Sequence, residues 1–192
     1  FFGADRAHVT RRGRDVGVLL VVRADPAQLD FQFVMNPSRG PLFDLAPNAT
    51  LRSNAGYFTE NWRPTGLLAA GGTVHRGRQK KGGAAGSGVI VVESGRARLV
   101  SRTEAQKLDP KKLSLALQAG PRIIESGGAP GIRSDDGARA NRSILGVDAK
   151  GRLVWVLVYF SDGGARAGPS LYESMQLLTD LDRERPDLKI MG

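Results

Sequence analysis

The sequence predicts one α+β domain dominated by antiparallel strands and carrying a few helices. Three observations point there. Residues 88–102, "GVIVVESGRARLVSR", and 142–161, "RSILGVDAKGRLVWVLVYFS", each read as two apolar, β-branched runs joined by a short glycine-containing turn, the pattern of a hairpin. Residues 170–184, "SLYESMQLLTDLDRE", repeat apolar side chains at helical spacing. The chain of 192 residues is long enough for one substantial core, shows no repeat or linker, and contains 25 glycines, which favours many turns over a helical bundle.

Along the chain, "VGVLLVVR" (16–23) has the composition of a buried strand, and "FQFVMN" (31–36) alternates as a strand that pairs nearby. "PLFDLAPNA" (41–49) allows one helical turn, broken at Pro47-Asn48. "TLRSNAGYF" (50–58) reads as a strand, and "TGLLAAGGTVHRG" as strand, Gly-Gly turn, strand. Residues 76–88, "RGRQKKGGAAGSG", form a basic, glycine-rich loop that is either a surface excursion or a lid over an anion. "DPKKLSLALQ" (109–118) predicts a short helix and "GPRIIESGG" a strand. Ser170 and Glu173 make the Ser-x-x-Glu capping box, in which each side chain satisfies a free backbone amide, and Pro186 ends that helix. "LKIMG" reads as the start of another strand.

Composition removes several function classes. Without cysteine there is no disulfide scaffold, thiolate nucleophile or Cys-ligated metal. No run reaches the roughly 18 apolar residues of a membrane span. The two histidines, His8 and His75, flank no Gly-x-Ser-x-Gly elbow, and no phosphate-binding Gly-x-x-x-x-Gly-Lys loop exists. A net charge of +9 fits an arginine-rich solvated surface or an anionic partner. Its patches lack interleaved aromatics, which argues against nucleic acid. No cofactor is indicated. The scattered carboxylates permit a divalent metal without specifying one. A start at Phe1 fits an exported bacterial protein, periplasmic or secreted, whose signal peptide is removed. Oligomeric state is left open.

Polar groups at strand ends are the remaining candidates: Asn54, Glu60, Asn61, Glu125, Asp135, Asp136, Asn141, Arg142, Asp162 and Glu173. Taken singly, each is ordinary turn or surface chemistry, and Glu173 is explained by its cap. Repetition is the signal, since "NAGYF", "QAGPRI" and "ANRSILG" each place polar groups and glycine at a strand boundary.

In order, "SNAGYF…PTGLL", "LALQAGPRII", "NRSILGVDAKGRLVWVLV" and "PSLYESMQLL" resemble the phosphodiester glycosidase family over residues 50–192. The resemblance implies hydrolysis of a sugar–phosphate diester or related envelope glycan linkage. It implies that Asn54, Gly56, Tyr57 and Phe58 line the pocket with Gly120 and Pro121. It further implies that Asn141 and Arg142 lie at the site and that Asp162 and Gly163 follow the next strand. Arg142 would grip phosphate with its planar fork, and Asp162, or more weakly Glu60, would supply the carboxylate. Family members continue into a strand ending Leu-Asp-Gly-Gly, so the chain is expected to continue past Gly192. The rival expectation is a non-catalytic basic module that binds anionic envelope polysaccharide.

Overall fold

In a computed structural model, residues 2–35, 40–61, 63–78, 83–161, 167–186 and 189–191 are described. They form two antiparallel sheets. The first, in the order β1-β2-β9-β8, comprises β1 (Phe2–Arg11), β2 (Arg14–Ala24), β8 (Arg142–Val147) and β9 (Leu153–Phe160). The second, β4-β3-β7-β5-β6, comprises β3 (Leu68–Ala70), β4 (Thr73–Arg76), β5 (Gly88–Glu93), β6 (Arg96–Ser101) and β7 (Leu115–Ala119). Helix α1 (Arg102–Ala105) is one turn, and α2 (Leu171–Glu184) is the principal helix.

Side-chain alternation on the central strands stacks four layers. On β9, Val154, Val156, Val158 and Phe160 join Met175 and Leu178 of α2, whereas Leu153 and Trp155 face the second sheet. On β5, Ile90 and Val92 meet that inter-sheet core, while Val89 and Val91 pack against Ala105 and Leu113 on the outer side. β5 is thus buried on two faces, and β9 is over its first half, which is why those stretches are continuously apolar. Each fully buried side chain of this size contributes about 1.5–3 kcal/mol of hydrophobic stabilisation.

Both predicted hairpins form. The first turns through Ser94 and Gly95 at φ 49° and 73°, the left-handed pair that matches strand twist. In the second, the Asp148 carboxylate accepts the amides of Lys150 and Arg152 and pairs with Arg152 Nε at 2.6 Å. The α2 capping box is present in both directions.

Four local readings differ. Residues 31–35 are irregular: Phe31 enters the inter-sheet core and Phe33 packs on His75 with ring centroids 4.8 Å apart, so the alternation serves packing rather than pairing. Among the described residues, 50–58 make only the Phe58–Pro64 bridge, and Arg52 instead ties the loop down through the carbonyls of Leu45, Ala46 and Pro47. The helix expected over 109–118 is a single 3-10 turn, Pro110–Lys112, followed by β7. Leu113, Leu115 and Leu117 recur every second residue, which is strand spacing. The segment after Pro121 is a tight loop closed by Glu125 N to Ala129 O and Gly131 N to Ile123 O, not a strand. The sequence reading also omitted β1, an edge strand whose only buried residue is Val9.

Ile190 bridges Asp148 at the edge of β8, and its amide donates to Asp182 at 3.0 Å. Burial holds the Asp182 carboxyl above its ordinary range, outweighing that hydrogen bond. A raised folded-state value means stability is lost as pH rises through it. Asp182→Asn keeps a carbonyl acceptor without the charge, so thermal melts should show higher stability than wild type at pH 7 and no gain in acid.

Candidate active site

One end of the sandwich gathers the polar strand termini. The β8–β9 turn rests on the start of β6 through Ala97 N donating to Gly151 O at 2.8 Å. Because β8 pairs antiparallel to β9, and β5 antiparallel to β6 and β7, the opposite end carries Arg142, Phe160, Gly88 and Ala119 together. There the inner face of the first sheet is left open, with Leu157 46% and Tyr159 51% exposed.

On the first-sheet side, Asn141 Oδ1 accepts the Phe160 amide at 3.0 Å, so a side chain extends the β8–β9 ladder by one rung. Arg142 donates from Nη2 to Ala138 O at 2.7 Å and from Nε to Pro169 O at 3.4 Å. Among the described residues its other N–H groups have no protein partner. An arginine fixed by two carbonyls retains donors to offer an anion. The segment 167–169 crosses directly over 140–141; a β-carbon on Gly168 would stand 2.0 Å from Ala140 O.

Behind this crossing, Glu173 accepts Arg139 Nη1 and Nη2 at 2.7 Å each, Arg11 Nη2 at 3.0 Å, and the Ser170 amide at 3.0 Å. Burial alone would raise its carboxyl, but these bonds and the charges of Arg139 and Arg11 outweigh burial and hold it below the ordinary range. The same contact raises Arg139. Asp135 is lowered by its hydrogen bond from Ser170, and then by the Gly137 amide at 2.9 Å. Depressed carboxylates contribute stability above their unfolded values and lose it as pH falls through the folded ones, so this joint weakens in acid. A groove of about 430 Å³ opens beside it, lined by Arg11, Phe160, Tyr172, Glu173 and Arg183 but not by Arg142.

The second-sheet side is organised by Gln118, only 4% exposed. Its Oε1 accepts Leu67 N and its Nε2 donates to Gly86 O, both at 3.0 Å, tying β7 to β3 and to the end of the basic loop. Gly56, at φ 87°, lies over the same strand end: a β-carbon there would stand 3.3 Å from Gln118 O. The next peptide along, Gly120-Pro121, is cis. Gln118→Met preserves length but strips both bonds, and leaving a buried amide unsatisfied costs about 1–3 kcal/mol. Denaturant titration should show that loss.

The structure therefore brings Gly56, Gly120 and Pro121 to one strand end, and Asn141 with Arg142 to another at the same end of the sandwich. Asn54 and Glu60 are exposed on the loop that carries Gly56, and Tyr57 and Phe58 are 48% and 56% exposed. Asp162 and Gly163 lie outside the described residues. Among the described residues no group of three or more His, Asp or Glu gathers as metal ligands, and no helix is long and apolar enough to cross a membrane. Sequence reading passed over Arg139, Arg11, Gln118 and Gly168. Gln118 left a trace there only as the first residue of "QAGPRI", and Arg139 in the spacing of "ARANR".

Comparison with known proteins gives the wider setting. No curated protein sequence matches the chain. Among solved structures, the fold is similar to the catalytic domain of zebrafish N-acetylglucosamine-1-phosphodiester alpha-N-acetylglucosaminidase, described as auto-inhibited by its pro-peptide. The two share 13% identity at a TM-score of 0.67, over 100% of this chain and 68% of that one. The model of the family described as phosphodiester glycosidase matches residues 47–185, a span holding every candidate residue on both sides of the open end. The chain belongs to the phosphodiester glycosidase family, a family of glycoside hydrolases.

Proposed function

We propose that this protein hydrolyses a glycosyl phosphodiester, in the cell envelope or outside the cell. The observation that carries the reading is Arg142, anchored by two backbone carbonyls at the open end of the sandwich with donors that no described residue engages. In the reaction water adds to the anomeric carbon, the bond from that carbon to the bridging oxygen breaks, and the oxygen leaves on the phosphate. Arg142 binds the phosphate and stabilises the charge that develops on the leaving oxygen. Asp162 acts as base or nucleophile toward the sugar carbon, with Glu60 the weaker alternative. Asn54 hydrogen-bonds the sugar or the phosphate. Gly56, Tyr57, Phe58, Gly120 and Pro121 form the wall, where glycine lets the backbone approach the ligand. Incubating the purified protein with sugar 1-phosphate methyl diesters should release free sugar and methyl phosphate. Absence of both products across common hexose and N-acetylhexosamine diesters would sink the reading.

A second reading, a non-catalytic module for anionic polysaccharide, draws on a separate observation. The carboxylates of Glu173, Asp135 and Asp136, on the segments that hold Arg142, are already engaged with arginines, a helix cap and turn amides. It predicts polymer binding that weakens steeply with salt and releases no product.

A further inference from the structure

Glu173 is bound more heavily than a helix cap requires. Capping α2 takes one bond, from the Ser170 amide to Oε2. The remaining contacts come from Arg139, whose fork meets both carboxylate oxygens at 2.7 Å, and from Arg11, whose guanidinium also lies 5.3 Å from the centre of the Phe160 ring. Glu173 is 25% and Arg139 34% exposed at the side chain, a partly dry setting in which a two-pronged charge-assisted pair fixes geometry as well as adding energy.

What that pair fixes is the frame of Arg142. Arg139 belongs to the same short segment as Ala138, whose carbonyl holds Arg142 Nη2. The other anchor, Pro169 O, directly precedes the N-cap of the helix that carries Glu173, and it also accepts the Ala140 amide at 3.4 Å. The guanidinium is therefore hung between two chain segments, and the Glu173–Arg139 pair is the ionic tie between them. Remove the tie and the Ala140–Pro169 and Asp135–Ser170 contacts remain, but the charged two-pronged link that fixes the spacing of the two carbonyls is lost.

We propose that Glu173, acting through Arg139, is a positioning residue that sets the Arg142 guanidinium for phosphate. This rests on the phosphate-binding role proposed above for Arg142. A displaced guanidinium loses a charge-assisted hydrogen bond to phosphate, so inorganic phosphate affinity should fall about 10- to 100-fold when the tie is cut. The test titrates inorganic phosphate while following the Arg142 Nε–H signal by NMR, assigned by its loss in Arg142→Lys.

Arg139→Gln is the primary variant, because it leaves the Ser170–Glu173 cap and the Arg11 contact in place. Glu173→Gln is the second variant, and Arg139→Lys, which keeps charge without the fork, should fall between wild type and Arg139→Gln. The expected result is a phosphate response in wild type that weakens in both glutamine variants while their melting transitions stay cooperative. A purely structural role would move the melt and leave the phosphate affinity of the folded fraction unchanged, and that outcome overturns the inference alone. A wild-type Arg142 signal indifferent to phosphate overturns the role given to Arg142, and this inference with it.

Discussion

Replacing Gly168 with valine is expected to destabilise the protein by about 3 kcal/mol or more, the upper part of the range for overpacking, and to abolish activity in what remains folded. Most enlarged side chains find room because a neighbouring side chain turns aside. Here the obstacle is backbone: a β-carbon at 168 would stand 2.0 Å from Ala140 O, 2.1 Å from Ala140 C and 2.4 Å from Asn141 N. Relief requires separating 167–169 from 140–141. That movement withdraws Pro169 O from Arg142 and breaks the rung between Asn141 and Phe160. Denaturant unfolding reads the first effect. Gly168→Ala, with less bulk beyond the β-carbon, should lose less stability but most of the activity. Wild-type stability in Gly168→Val would show that the two segments do not cross as closely as described.

Arg142→Ala should cost about 2–5 kcal/mol of transition-state binding, as truncating one member of a close charge pair does, and kcat/KM would fall accordingly. Its effect on folding should be smaller. The bonds it loses are to carbonyls at a partly exposed strand end, whereas the first-sheet core is held by Val154, Val156, Leu178 and their neighbours. Arg142→Lys keeps the charge but not the planar fork, so it should recover only part of the loss. Near wild-type turnover in the alanine variant would remove Arg142 from the site.

The parts of the fold legible in the sequence were those in which local and tertiary preferences agree. β5, β6, β8 and β9 alternate or run apolar, their turns carry glycine where φ is positive, and α2 announces its start through Ser170 and Glu173. Elements whose role depends on distant partners were misread or missed. β1 shows no apolar stripe because it is an edge strand, held by its ladder with β2 and by ion pairs such as Arg23–Asp5 at 2.6 Å. "TLRSNAGYF" has strand composition, yet the backbone bonds of such a segment are decided by what lies beside it, and Arg52 claims the neighbouring carbonyls instead.

Part of the layout around the candidate residues was also legible. Gly120, Asn141 and Arg142 could be singled out because they adjoin the ends of β7 and β8, and Gly56 because the sequence before it has strand composition. The packing that relates them could not, because Gln118 looks like any polar residue in a strand and Gly168 like any residue of a glycine-rich loop. Glu173 shows how a sufficient local explanation hides a second one. Its capping box is real, and nothing in the sequence adds that two arginines, one from β1 and one from the segment before β8, converge on the same carboxylate.

Which bond breaks decides the central claim. Hydrolysis of a sugar 1-phosphate methyl diester in water carrying the heavy oxygen isotope separates the alternatives, because a phosphate monoester does not exchange its oxygens under the assay. Cleavage at the anomeric carbon leaves the bridging oxygen on the phosphate, so the methyl phosphate released should carry no label. Labelled methyl phosphate would mean attack at phosphorus and a phosphodiesterase, and would contradict the account given for Arg142 and Asp162.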